Sequence, residues 1–158
     1  LLNTAEHVID VFADSEYQLR FRPHPHDALE RPARQVVRQC RDRICDIPNV
    51  TFDDAWSPVE SLLWADVLIS DYSGIVTEWL HTGRPLLQLT AIRSATNEVP
   101  DIGTTTDELA LATVDRLYED GHSQAERDRR DDWLDTLDIP MDGRAGERAA
   151  RILTGYVE

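Results

Sequence analysis

A chain of 158 residues, 41% hydrophobic and 29% charged, is sized for one globular domain that buries about 70% of its unfolded surface and needs no disulfide or metal to hold it. Its formal net charge of -14 and pI near 4.6 create a field that repels polyanions. This excludes nucleic acid and an anionic membrane face as default partners and requires any phosphate site to be locally basic.

All 16 basic residues are Arg, a composition typical of salt-adapted or GC-rich organisms that carries no chemistry. Cys40 and Cys45 match neither a zinc knuckle nor a redox pair and read as reduced thiols of a cytosolic protein. No apolar run approaches the roughly 20 residues that span a bilayer, and "LLNTAEHVIDVF" lacks the basic start and cleavage site of a signal peptide. The chain opens on Leu1 inside a helical pattern and without Met, the expected look of a piece of a longer protein.

Leu2, Ala5, Val8, Ile9 and Phe12 recur at helical spacing, and "YQLRFR" (Tyr17 to Arg22) then alternates as a strand until the prolines of "RPHPHD" stop it. A second helix is expected from Ala33 to about Ile44, followed by a short strand, Val50 to Phe52. "SPVE" reads as a capping box, with Ser57 as N-cap and Glu60 reaching back. "DVLIS" (Asp66 to Ser70) is a near-continuous apolar strand of the kind buried on both faces of a parallel sheet. "SGIVTEWLHTG" is a helix closed by Gly83, and "PLLQL" (Pro85 to Leu89) is the fourth strand. A helix opened by "TTDE" is expected from Thr106 to about Tyr118, then two polar helices around "IPMDG". Alternating helices and strands with short links imply an α/β fold, a Rossmann-like doubly wound parallel sheet with right-handed crossovers.

Ligands of such sheets sit beyond the carboxyl ends of the strands, and two exits carry unusual polar content. In "DYSG", Ser73 and Gly74 open a helix whose first amides favour an anion, with no side chain at Gly74 to block close approach. Glu78 lies one turn on, about 6 Å along the axis. A carboxylate so near a bound phosphate suits the vicinal hydroxyls of a ribose. In "RPHPHD", Arg22 offers a cationic fork, and His24 can donate a hydrogen bond or a proton to a phosphate or leaving-group oxygen. His24 and His26 as metal ligands is the weaker reading of that loop, because no further ligands stand at metal spacing. Each feature also has an ordinary structural role: a helix cap for Ser73, a turn for Asp71, a loop hydrogen bond for His24. His7, His81 and His122 carry no assigned chemistry, and Trp56, Trp64, Trp79 and Trp133 read as packing residues. Arg84 reads as a cap on helix carbonyls rather than a phosphate ligand.

The order of strand, "RPHP", strand, then "LLWADVLISDYSGIVTEWLHTGRPLLQL", with a late "DGRAGERAARIL", resembles the CDP-glycerol glycerophosphotransferases of teichoic acid polymer synthesis from about Tyr17 to Leu153. The resemblance implies the C-terminal, donor-binding half of a GT-B enzyme, and the residues themselves require no cofactor or metal. It implies CDP-glycerol or a related CDP-polyol as donor, a hydroxyl-bearing polymer or lipid-linked acceptor, and a cytoplasmic place with any membrane contact made through an N-terminal region. On that pattern His24 and Arg22 lie at the donor phosphates, Ser73 and Gly74 hold phosphate, and Glu78 binds the nucleotide. Gly74 stands where the family has a second serine, Glu78 where it has Asp, and the loop after "PLLQL" is shorter and lacks the family's acidic and Arg-Gly elements.

The family's opening strand and its acceptor domain, thought to supply a catalytic His, are not found in the chain, so these residues alone are expected to bind donor weakly and catalyse nothing. Ser-Gly followed by Glu is also similar to sugar-nucleotide GT-B glycosyltransferases and UDP-N-acetylglucosamine epimerases. A non-catalytic nucleotide-binding or scaffold module is the third reading.

Overall fold

Among the described residues, five short strands, all in parallel pairings, are interspersed with helices. The computed structural model describes residues 2–29, 31–92, 99–138, 140 and 142–155. Helix α1 (Leu2–Ala13) leads into β1 (Leu19–Phe21), α2 (Arg31–Ile44) and β2 (Val50–Phe52). Next come α3 (Val59–Trp64), β3 (Leu68–Ser70), α4 (Ile75–Leu80), β4 (Leu86–Leu89) and β5 (Thr104–Thr106). Helices α5 (Leu111–Asp120), α6 (Gln124–Leu137) and α7 (Ala145–Gly155) complete the order. The α/β class expected from the sequence is present. The strands form two parallel sheets, β1-β2 and β3-β4-β5, and β1 and β3 are not hydrogen-bonded to each other.

Two apolar clusters lie on the faces of these sheets. The larger joins Val8, Ile9 and Phe12 of α1, Cys40 and Ile44 of α2, Val50, Leu87 and Leu89 of the strands, and Val114 and Leu117 of α5. The smaller joins Val76, Trp79 and Leu80 of α4 to Leu86 and Ile102, with Trp133 and Leu134 of α6 against it. Each fully buried aliphatic side chain contributes about 1.5–3 kcal/mol relative to exposure. These clusters hold the elements more firmly than the three- and four-residue ladders can.

Polar groups fix the edges of this core. Gln88 is fully buried on β4. Its Oε1 accepts the N–H groups of Ile102 at 2.8 Å and Gly103 at 2.9 Å, and its Nε2 donates to Pro100 O at 3.1 Å. A Cβ on Gly103 would stand 2.5 Å from Leu86 O, so glycine is what lets this chain lie against β4. His122 Nε2 accepts the N–H of Leu86 at 3.0 Å, and His7 Nε2 bonds Leu109 O at 3.1 Å, so both work as structural ties.

The structure corrects several local expectations. The helix placed at Thr106 starts only at Leu111, because Thr104–Thr106 pairs with Leu87–Leu89 as a fifth strand. Three β-branched residues in a row favour the pleated strand over the cap that "TTDE" resembles. Helix α3 starts at Val59, whose N–H goes to Ser57 Oγ at 3.3 Å. Its N-cap is Pro58, with no side-chain cap, and no bond between Ser57 and Glu60 in either direction is present among the described residues, so the expected capping box does not form. The complete box is at α6, where Ser123 and Glu126 exchange both bonds. Helix α4 ends at Leu80 with His81 as its C-cap, three residues short of Gly83, whose φ of 70° turns the chain toward β4. Of the break "IPMDG", Ile139 and Met141 lie outside the described residues.

Candidate functional site

The carboxyl ends of β1 and β3 open onto one cleft of about 1420 Å³, whose lining includes Arg22, His24, Ser73, Gly74 and Glu78. The two strand exits singled out in the sequence are thus walls of the same space. Trp56, from the exit of β2, lines it too.

At the first wall, Pro23 and Pro25 cannot donate to a ladder, so β1 stops at Phe21 and a 3-10 turn, Pro25–Ala28, follows. His24 between them is extended, with φ -65° and ψ 139°, as a residue before proline is driven to be. Its Nδ1 accepts the N–H of His26 at 3.2 Å. A ring nitrogen that accepts carries no proton, so the neutral imidazole holds its proton at Nε2 and offers a donor on an exposed side chain.

Arg22 is engaged within the protein. Its Nη1 pairs with Asp53 Oδ2 at 3.0 Å and its Nη2 donates to Ala55 O at 2.7 Å. Asp53 also accepts from Ser61 Oγ and, through Oδ1, from the N–H of Ala55 at 3.0 Å. Burial would push the Asp53 carboxyl up. The bonds from Ser61, Ala55 and Arg22 outweigh it and hold the group below its ordinary value. The fork of Arg22 therefore joins the exits of β1 and β2, and only its outer face remains to a ligand. Asp53 was not singled out from the sequence, although "TFDD" sets two carboxylates at a third strand exit.

At the second wall, Asp71 Oδ1 accepts the N–H of Ser73 at 2.9 Å. The amides at the start of α4 that donate to no described residue are those of Gly74 and Ile75. Gly74 has an ordinary helical φ of -59°, and a Cβ there would meet nothing within 4 Å. Neither strain nor crowding in the protein calls for glycine at this position; its backbone simply lies open. Helix α4 has only six residues, so its dipole is weak compared with that of a long helix. Glu78 is exposed, lines the cleft, and makes no ion pair or side-chain hydrogen bond among the described residues.

The charge around this mouth is acidic. Asp27, Asp71 and Glu78 line it against Arg22 and His24, so a phosphate would rely on directed donors rather than on the net field.

Trp56 departs from the packing role expected of it: it is 100% exposed. Trp79 and Trp133 do pack, whereas Trp64 is 43% exposed. Trp79 is wholly buried with its Nε1 donating to Pro85 O at 3.0 Å, Trp133 lies against the smaller cluster, and Trp64 lies under the Arg20 guanidinium at 4.4 Å. Arg84 caps carbonyls as expected, but those of α3 rather than of its own helix. It donates to Leu62 O and Ala65 O and sits 4.4 Å above the Trp79 ring.

Among the described residues no three His, Cys, Asp or Glu side chains gather as a metal would need. No described helix is long and apolar enough to cross a membrane. Cys40 and Cys45 are both free thiols, the first buried and the second exposed. No protein-family model matches the chain, and no curated protein or solved structure matches it either.

Proposed function

We propose that this chain is the nucleotide-donor domain of a glycerophosphate or related polyol-phosphate transferase, with the Rossmann-like architecture of the C-terminal half of a GT-B enzyme. The observation that carries this reading is the convergence of the "RPHP" exit of β1 and the "DYSG" exit of β3 on one cleft, the position at which open parallel sheets bind ligands.

In the proposed reaction an acceptor hydroxyl attacks the β-phosphorus of a CDP-alcohol and gives up its proton to solvent, the new P–O bond replaces the one to the bridging oxygen, and CMP leaves. The Nε2–H of His24 donates to the pyrophosphate and stabilises the charge that grows on the departing oxygen. The outer face of Arg22 adds a second donor, the open amides of Gly74 and Ile75 with the Ser73 hydroxyl cradle phosphate, and Glu78 accepts from the ribose hydroxyls. The exposed ring of Trp56 offers an apolar face to a base.

A sugar-nucleotide GT-B enzyme is the second reading, favoured by the Ser73-Gly74 and Glu78 spelling and by the open backbone at Gly74. There the attack is at an anomeric carbon and His24 still serves the leaving phosphate.

Calorimetric titration with CDP-glycerol, CDP-ribitol, UDP-sugars and CMP tests the proposal. Tightest binding of a CDP-alcohol is expected. Preference for a UDP-sugar selects the second reading, and no binding across the panel leaves a scaffold module in place of both.

A further inference from the structure

Of the four residues that follow β3, Asp71, Ser73 and Gly74 line the cleft and Tyr72 does not. The Tyr72 ring is turned into the protein and is 2% exposed, yet neither apolar cluster of the described residues includes it. What its burial provides is a bond. The hydroxyl donates to Asp101 Oδ1 at 2.6 Å, a length typical of charge-assisted O–H···O⁻ pairs.

The acceptor is itself held from two directions. On either side of Asp101, Pro100 O takes an N–H of Gln88 Nε2 at 3.1 Å, and the N–H of Ile102 goes to Gln88 Oε1 at 2.8 Å. From α6, Arg129 donates through Nε to Asp101 O at 3.0 Å and through Nη2 to Gly103 O at 3.3 Å. Asp101 is thus an anchor fixed to β4 and α6. Tyr72 carries that anchor back across 29 residues of chain to the mouth of the cleft.

The exit of β3 needs an anchor because its own elements are short, three residues in β3 and six in α4. The bond from Ser73 N–H to Asp71 Oδ1 at 2.9 Å sets the shape of the turn. Both ends of that bond move with the turn, so it does not set the distance to the β1 exit across the cleft. The two exits belong to different sheets. Donors on separate supports act on one phosphate only if each support is rigid, and a misplacement of about 1 Å costs up to about 100-fold.

We propose that Tyr72 and Asp101 are positioning residues of the cleft. Their bond ties the β3 exit to β4 and α6, and so holds the Ser73 hydroxyl and the Gly74 backbone in register with His24 for one phosphate. Neither residue lines the cleft, so both act through the residues they hold. The proposal rests on the phosphate reading given above.

Calorimetry with cytidine diphosphate and with cytidine tests it, read as the ratio of the two affinities. Tyr72→Phe keeps the buried ring and removes only the hydroxyl. Asp101→Ala removes the acceptor at an exposed position and leaves the buried ring in place. Each is expected to lower the ratio about 5–10-fold, and the double variant no further than the single ones, because all three lose the same bond. Asp101→Asn keeps an oxygen that accepts from the phenol and should stay within about threefold of wild type.

A tie that only stabilises the fold would lower the melting temperature and leave the ratio unchanged in Tyr72→Phe and Asp101→Ala. That result, in a protein whose wild type prefers the diphosphate, overturns this proposal and leaves the phosphate reading standing. Losses that add in the double variant overturn it as well. Equal affinities of wild type for the two ligands overturn the phosphate reading, and this proposal with it.

Discussion

Arg22 Nη1 and Asp53 Oδ2 meet at 3.0 Å and clamp the exit of β1 to the exit of β2. The sequence had offered Arg22 to a phosphate; the fold gives it a carboxylate first. Both side chains are largely buried, at 20% and 10% exposure, so breaking the pair leaves an uncompensated charge. Asp53→Ala is expected to lower stability by about 2–3 kcal/mol in urea unfolding. A change under about 0.5 kcal/mol would show that the clamp contributes nothing.

The clamp also sets a pH dependence. Asp53 is held below its ordinary value in the folded protein, so its contribution is complete above the unfolded value of about 3.9 and is lost as pH falls through the folded value. The stability gap between wild type and Asp53→Asn should be constant near neutrality and close in that acid window. A gap that widens as pH falls would reverse the assignment.

His24 is exposed, and its only described side-chain hydrogen bond is the one from His26 N–H, so His24→Ala should cost less than about 1 kcal/mol in stability. It should weaken a cytidine diphosphate ligand at least about tenfold and leave cytidine unchanged, as measured by calorimetry. Equal affinities of wild type for cytidine and its diphosphate would refute the phosphate role.

Glu78→Gln keeps the shape and removes the charge of an exposed side chain that has no ion pair among the described residues. Stability should stay within about 0.5 kcal/mol. Ribonucleotide affinity should fall about 5–10-fold, the loss of a charge-assisted bond, and dideoxy analogues should bind as before. Equal losses for both would remove the ribose from the site.

Added salt should raise the melting temperature, because screening relieves repulsion within a chain of charge -14. It should also strengthen binding of a nucleotide diphosphate at a mouth lined by Asp27, Asp71 and Glu78. A binding curve that weakens steadily with salt would mean that the ligand meets a basic surface instead of this acidic mouth.

Local pattern determined the alternation of helices and strands, the positions of β1 to β4, and the two polar strand exits, because periodicity, prolines and helix-ending glycine act within a few residues of themselves. It failed at Thr104–Thr106, where strand and cap signals overlap and pairing with β4 decides. Partner choice belongs to the tertiary structure. Asp53 reaches Arg22 from 31 residues away, and Arg84 finds α3 rather than its own helix, because chain closure brings distant carbonyls within reach of a guanidinium. Trp56 reads as a packing residue in any window and stands in solvent, since its loop is tied through Arg22 to the rim and not to a core. The sequence alone showed that two strand exits carry donors suited to a phosphate. That they share one cleft follows only from how the sheets are set side by side.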